Sequence, residues 1–188
     1  VIIGKKLVEL GADFLAVAYI EEGVRLRKSD IQVPILVFYP QLKELEKLIE
    51  FVDESVEVHI GVQGEPFLYA DMAELISEIQ LMKKVHTISI DTNGTLLSKQ
   101  LIDKLAEAGL TRINLSLNSL NQKIADAMAG FPYNLKRVME IAAYIPTKMD
   151  LILVPVWLPG YNDHELVKLA RLAKKIGAGK NCPPIGIQ

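Results

Sequence analysis

Apolar positions along the chain follow two alternating rhythms. Runs rich in branched aliphatics occupy Asp13–Tyr19, Pro34–Tyr39, Val56–Val62, Val85–Thr92, Arg112–Asn118, Met149–Trp157 and Pro184–Gln188, and read as strands. Between them the spacing is helical, at Gly4–Leu10, Glu22–Lys28, Gln41–Phe51, Asp71–Met82, Lys99–Ala108, Gln122–Ala129, Asn134–Ala143 and Asp163–Ile176. Gly11, Gly109 and Gly177 each follow a helical run, where a left-handed C-cap is expected. Strand followed by helix, repeated, predicts an α/β fold of βαβ units with parallel strands and right-handed crossovers. The repeat runs on with no glycine-rich phosphate fingerprint, which favours a partial or complete (β/α) TIM-like barrel over an open doubly wound sheet. No low-complexity linker interrupts it, so residues 1–188 read as a single barrel domain.

The alternation within strands says what the barrel holds. Ile88 and Ile90 oppose Ser89 and Asp91; Ile113, Leu115 and Leu117 oppose Asn114, Ser116 and Asn118; Val58 and Ile60 oppose Glu57 and His59. Helices cover the outside of such a barrel, so the apolar sets should face them and the polar sets the lumen. Polar groups there are costly unless partnered, which predicts either a ligand cavity or an internally satisfied network with water. Active sites of β/α barrels lie where strands end. Those junctions hold Tyr19, Glu21, Glu22, Tyr39 and Gln41, then Gln63-Gly64-Glu65-Pro66, Asp91-Thr92-Asn93-Gly94, Asn118-Ser119 and Trp157 through His164.

Composition narrows the chemistry. The net charge of −2 gives no footprint for nucleic acid or an anionic membrane, and no apolar run nears the roughly 20 residues of a bilayer span. A signal-peptide pattern is missing, so the expected setting is cytoplasmic and the expected partner a small molecule. Seven strands also predict an exposed sheet edge open to pairing with a second copy. Cys182 is the only cysteine, which excludes a disulfide within the chain and any site built from several of its thiolates. The strand-end inventory has no lysine or cysteine, and no Gly-x-Ser-x-Gly elbow occurs, leaving Schiff-base, thiolate and serine nucleophiles without an agent.

Local structure competes for several of these residues. Ser98 reads as a helix N-cap, as does Asn162 or Asp163, and Thr92-Asn93-Gly94 as a turn with Gly94 at positive φ. His59 and His86 read as core or bottom-face residues, and Trp157 as packing or a platform for a flat ring. Cys182 precedes a strand and belongs at the end opposite the mouth. Glu65, between glycine and proline, is restricted on both sides as a positioned ligand group would be.

From about Val56 to Gln188 the sequence resembles the radical S-adenosylmethionine (radical SAM) superfamily. The carriers are Gly61-Val62-Gln63-Gly64-Glu65-Pro66, Ile90-Asp91-Thr92-Asn93-Gly94-Thr95, Ile113 through Ser119, Val154 through Asp163, and Pro183 through Gln188. The resemblance implies that Gln63, Gly64, Glu65 and Pro66 hold the methionine amino group of S-adenosylmethionine, and that Ser116 and Asn118 help bind its ribose or carboxylate. Asn93 joins them at the strand ends, with adenine contacts near Trp157 or Ile185–Ile187. The family also implies a [4Fe–4S] cluster on a Cys-x-x-x-Cys-x-x-Cys loop after its first strand, and no such motif is present here.

Residues 1–52 resemble a different family. Leu10 through Ala18, Glu21 through Lys28 and Val33 through Val37 are similar to the barrel domain of alanine racemases. The pyridoxal phosphate lysine of those enzymes precedes the segment matched, and Lys5 and Lys6 do not correspond to it. Two resemblances meeting near residue 52 imply a chimera, engineered or recombinant, of racemase-like (1–52) and radical SAM-like (53–188) units. The expectation is a radical SAM-like barrel with a weak residual S-adenosylmethionine pocket and no competent cluster site. Its competitors are a structural barrel without a ligand and a fragment of a pyridoxal phosphate racemase.

Overall fold

The computed structural model of the chain describes residues 1–37, 42–50, 52–61 and 64–188. They form two compact units, Val1–Val56 and Glu57–Gln188.

The first unit contains α1 (Ile2–Glu9), β1 (Leu15–Val17), α2 (Ile20–Arg27), β2 (Ile35–Val37) and α3 (Leu42–Ile49). β1 and β2 pair in parallel, with Leu15 opposite Ile35 and Val17 opposite Val37. Buried Leu15, Leu26 and Ile31 form its core, with Val8, Ala12 and Val33 packed against them. The first strand is shorter than its apolar run because Glu22 takes the N–H groups of Ala18 and Tyr19 at 3.0 and 3.1 Å, starting α2 early.

The second unit carries β3 (Val56–Ile60), α4 (Met72–Gln80), β4 (Val85–Thr92), α5 (Lys99–Ala108), β5 (Arg112–Leu115), α6 (Gln122–Ala129), α7 (Leu135–Tyr144), β6 (Asp150–Leu153) and α8 (Leu166–Ile176). Its strands lie in the sequential order β3-β4-β5-β6, and β4, β5 and β6 are parallel. The fold is therefore α/β with parallel strands, as the periodicity predicts. Ile88, Ile90, Ile113, Leu115, Leu151 and Leu153 are fully buried on one face, where α4 and α8 pack on β4 and β6. Each such side chain contributes about 1.5–3 kcal/mol. Ser98 accepts from Leu101 N at 3.1 Å to cap α5, and Gly109 and Gly177 end α5 and α8 in the left-handed conformation.

Three expectations need correction. β5 ends at Leu115 rather than Asn118: Ser116 N still donates to Thr92 O at 2.8 Å, but Leu117 N turns back to Leu115 O at 2.8 Å, so the run departs from the sheet after Ser116. β6 ends at Leu153, close before Pro155, which has no N–H for a ladder. The closing run Pro184–Gln188 is no regular strand but still pairs in parallel with the end of β6 and the segment after it. A bridge joins Leu153 and Ile185, and Gln188 N donates to Pro155 O at 3.1 Å while its carbonyl accepts from Trp157 N at 2.8 Å. Tyr39, Gln41 and Gln63 lie outside the described residues.

Candidate functional site

The exits of β3 and β4 are tied together by one carboxylate. Gly64, at φ +106°, turns the backbone, and Pro66 starts a 3₁₀ turn (Pro66–Leu68) capped by Glu65. Glu65 Oε1 accepts from Thr92 Oγ1 at 2.7 Å and from Phe67 N at 3.3 Å, and Oε2 from Asn93 N at 2.9 Å. Thr92 Oγ1 in turn accepts from Gly94 N at 3.0 Å, and Asn93 Oδ1 from Thr95 N at 2.8 Å. Glu65 is thus positioned as its flanks suggest, and what it positions is the Thr92–Thr95 turn.

Beyond that turn lies a cavity of about 190 Å³. Asn93 lines it from the exit of β4, Ser116 and Asn118 from the exit of β5, Ala125 and Ala129 from α6, and Phe131 and Tyr133 from the loop after α6. The structure brings together three of the seven candidate residues, places Glu65 behind Asn93, and sets Gly64 and Pro66 on either side of Glu65. Tyr133 and Phe131 escaped sequence reading because they sit between two helical patterns. Tyr133 is buried and donates its hydroxyl to Asn93 O at 2.7 Å. Burial, then the nearby Glu65 charge, pushes that hydroxyl far above its ordinary range, so it stays a donor.

A second network fixes Asn118. Its carboxamide oxygen accepts from Val156 N at 2.9 Å. Asn162, fully buried, donates to Asn118 O and Val156 O at 2.9 Å each and accepts from Leu158 N. The capping role expected of Asn162 or Asp163 is therefore not observed, because both side chains are claimed elsewhere. Asp163 accepts from Trp157 Nε1 at 2.9 Å and from Gly160 N at 2.6 Å, and these bonds hold its carboxyl low. Glu165, 2% exposed, accepts from Leu120 N at 2.8 Å, Ser119 Oγ at 3.1 Å and Lys168 Nζ at 2.8 Å. Burial pushes the Glu165 carboxyl up, and these hydrogen bonds more than offset it, leaving it below the usual carboxylate range.

On the sheet face away from the buried aliphatics, Glu57, His59, Ser89, Asp91, Arg112 and Asn114 form one hydrogen-bonded cluster. The alternation of β4 and β5 predicts this polar face. The reading of His59 as a core or bottom-face residue is corrected: β3 points it along the polar side. Exposed His86, at the start of β4, lines a groove with Lys148 and Asp150. Cys182 is also at that end, its Sγ 3.9 Å from Leu151 O, where burial and Asp150 push the thiol up. Among the described residues no group of three or more histidine, cysteine, aspartate and glutamate side chains is arranged to hold a metal ion. No described helix is long and apolar enough to cross a membrane.

Parallel strands joined by helices, with a small cavity lined from the exits of β4 and β5, define an α/β fold of β/α units. The radical SAM superfamily model matches residues 29–173, so the family match extends into the segment expected to be racemase-like, and the chain belongs to that superfamily. It is 38% identical over 161 residues to an uncharacterized protein of Methanocaldococcus jannaschii, covering 82% of this chain and 36% of that one. It is 33% identical over 146 residues to the GTP 3',8-cyclase of Aquifex aeolicus, covering 73% of this chain and 44% of the relative. The chain therefore spans less than half the length of these relatives. Among solved structures, SuiB of Streptococcus suis bound to S-adenosylmethionine superposes with a TM-score of 0.59 at 18% identity, over 78% of this chain and 33% of that one. The HemN coproporphyrinogen III oxidase of Escherichia coli gives 0.53 at 11% identity, over 85% and 41%. At these identities the likeness is one of fold.

Proposed function

We propose that the second unit binds S-adenosylmethionine weakly at the strand-end cavity, and that this chain's own residues do not start radical chemistry. The observation that carries the reading is the convergence of Asn93, Ser116 and Asn118, from two different strand exits, on one cavity. The Asn93 and Asn118 carboxamide oxygens are taken by Thr95 and Val156, which leaves their NH2 groups to donate and the Ser116 hydroxyl to donate or accept, a set that suits ribose hydroxyls and a carboxylate. Glu65 contributes by fixing Asn93, with Gly64 and Pro66 fixing Glu65; Gln63 belongs to the same segment. A cavity of about 190 Å³ is smaller than the roughly 300–1,000 Å³ of most ligand sites, so it accepts only part of the molecule. A few neutral hydrogen bonds, at about 1 kcal/mol net apiece, must offset the lost freedom of the ligand. The expected dissociation constant is on the order of a millimolar, or about −4 kcal/mol.

The [4Fe–4S] cluster implied by the superfamily supplies an electron to the sulfonium when bound. The residues of this chain do not fit it. Such clusters take several thiolates, and the single cysteine, Cys182, is at the strand starts beneath a neighbouring carboxylate that disfavours its thiolate. Reconstitution with iron and sulfide is expected to give no stable four-iron cluster by Mössbauer spectroscopy; such a cluster on the monomer would defeat this half of the reading.

Isothermal calorimetry with S-adenosylmethionine tests the other half. Binding near a millimolar should weaken about fivefold in Ser116→Ala and in Asn118→Ala. Binding indifferent to both substitutions would put the ligand elsewhere, and no heat at several millimolar would favour a barrel without a ligand.

A further inference from the structure

The polar face of the sheet carries a hydrogen-bonded cluster whose residues do not line the strand-end cavity. The register sets Ser89 beside Arg112 and Arg112 beside Asp150, and Asp91 beside Asn114. Glu57 and His59 reach this face from β3, so among the described residues its ionisable groups are Glu57, His59, Asp91, Arg112 and Asp150.

The hydrogen bonds run in a determined direction. Arg112 donates to Glu57, and Ser89 Oγ donates to the same carboxylate at 2.7 Å. Burial pushes the Glu57 carboxyl up, but the Ser89 and Arg112 hydrogen bonds outweigh it and keep it ionised. A hydroxyl has one hydrogen, so Ser89 offers only a lone pair to His59 Nδ1, 2.8 Å away, and Nδ1 must carry a hydrogen. Asp91 Oδ1 is occupied by Asn114 Nδ2 at 2.9 Å, and its Oδ2 faces His59 Nε2 at 3.2 Å. Both ring nitrogens therefore meet acceptors, and the arrangement closes only with a proton between Nε2 and Oδ2.

The sequence leaves room for this ring. Gly61 follows His59 on the same face, and a methyl group there would stand 3.2 Å from Nε2. Ser89 is fully buried with its hydrogen committed to Glu57, so it is not a nucleophile despite the Ser–His–Asp order. His59 and Asp91 are the reachable members, with side chains 42% and 40% exposed.

We propose that His59 and Asp91 are an acid–base pair that holds one proton on the open face of the sheet and delivers it to an oxygen or nitrogen acceptor of a ligand lying over them. In that step the Nε2–H bond breaks with its electron pair left on nitrogen, and the hydrogen bonds to a ligand lone pair. The imidazolium thereby becomes a neutral ring that keeps Nδ1–H toward Ser89, the ligand gains the positive charge, and a hydronium ion from solvent restores the Nε2 proton. The pair does not depend on S-adenosylmethionine binding.

Long-range ¹H–¹⁵N ring spectra of the histidine-labelled full chain test this at neutral pH, with His59 distinguished from His86 and His164 by His59→Gln. Two protonated nitrogens are expected for His59, falling to Nδ1–H alone in Asp91→Asn and in Gly61→Ala. Exchange of the Nε2 proton should accelerate in proportion to added inorganic phosphate, used as the probe acceptor. A singly protonated His59 in the unaltered chain overturns the proposal whether or not the variants fold. So does a proton whose exchange ignores phosphate, since it would be closed to ligands.

Discussion

Replacing Glu165 by alanine lowers the stability of the full chain by about 3 kcal/mol, the expected cost of stripping a buried carboxylate from several donors. Leu120 N and Ser119 Oγ lose their acceptor, and Lys168 loses its partner. Because Ser119 Oγ also accepts from Asn121 N at 3.0 Å, the start of α6 loosens with it. Urea denaturation followed by circular dichroism measures the loss. Glu165→Gln keeps one acceptor oxygen and should recover about half. A loss below about 1 kcal/mol for alanine would mean that water replaces the carboxylate without cost.

The same residue sets a pH dependence. Its carboxyl is depressed in the folded chain, so its contribution is fully present above the unfolded value of about 4.3. It is lost as pH falls through the lower, folded value. Acid unfolding of the unaltered chain should therefore be steeper below about pH 4 than that of Glu165→Gln. Parallel acid profiles for the two proteins would contradict the depressed value.

Gly94→Ala is the second large effect, at about 3 kcal/mol. Gly94 has φ +75°, which costs any other residue about 1 kcal/mol. An added methyl group would also stand 2.7 Å from Leu115 Cδ1 and 3.2 Å from Val138 Cγ1, both in the fully buried core. Such overpacking typically costs about 1–3 kcal/mol. Gly130→Ala is the matched control, because Gly130 has φ +73° with nothing within 4 Å of the added carbon. Thermal melts should show a loss at Gly94 about threefold that at Gly130; equal losses would assign the whole effect to the backbone.

Pattern and composition carried the reading a definite distance. The spans of α5 and α6 match their helical runs, and β4 its strand run, because apolar periodicity reports directly on which face escapes water. The same alternation separated Ile88 and Ile113 from Ser89, Asp91 and Asn114, and so announced a polar face. Local capping was legible at Ser98, where donor and acceptor are three residues apart. It misled at Asn162, whose side chain reaches Asn118 O across 44 residues. Glu165 reaches Leu120 across 45, and His59 reaches Asp91 across 32, and nothing local encodes either partner.

The hydrophobic effect is non-directional, so a chain can record in its own order which positions are buried and which solvated. Hydrogen bonds between distant segments are directional and depend on strand register to within one residue. That is why strand and helix rhythm, the parallel α/β fold and the polar faces follow from the residues in order. The cavity beside Asn93, the clamp around Asn118 and the contact between His59 and Asp91 exist only once the strands are aligned.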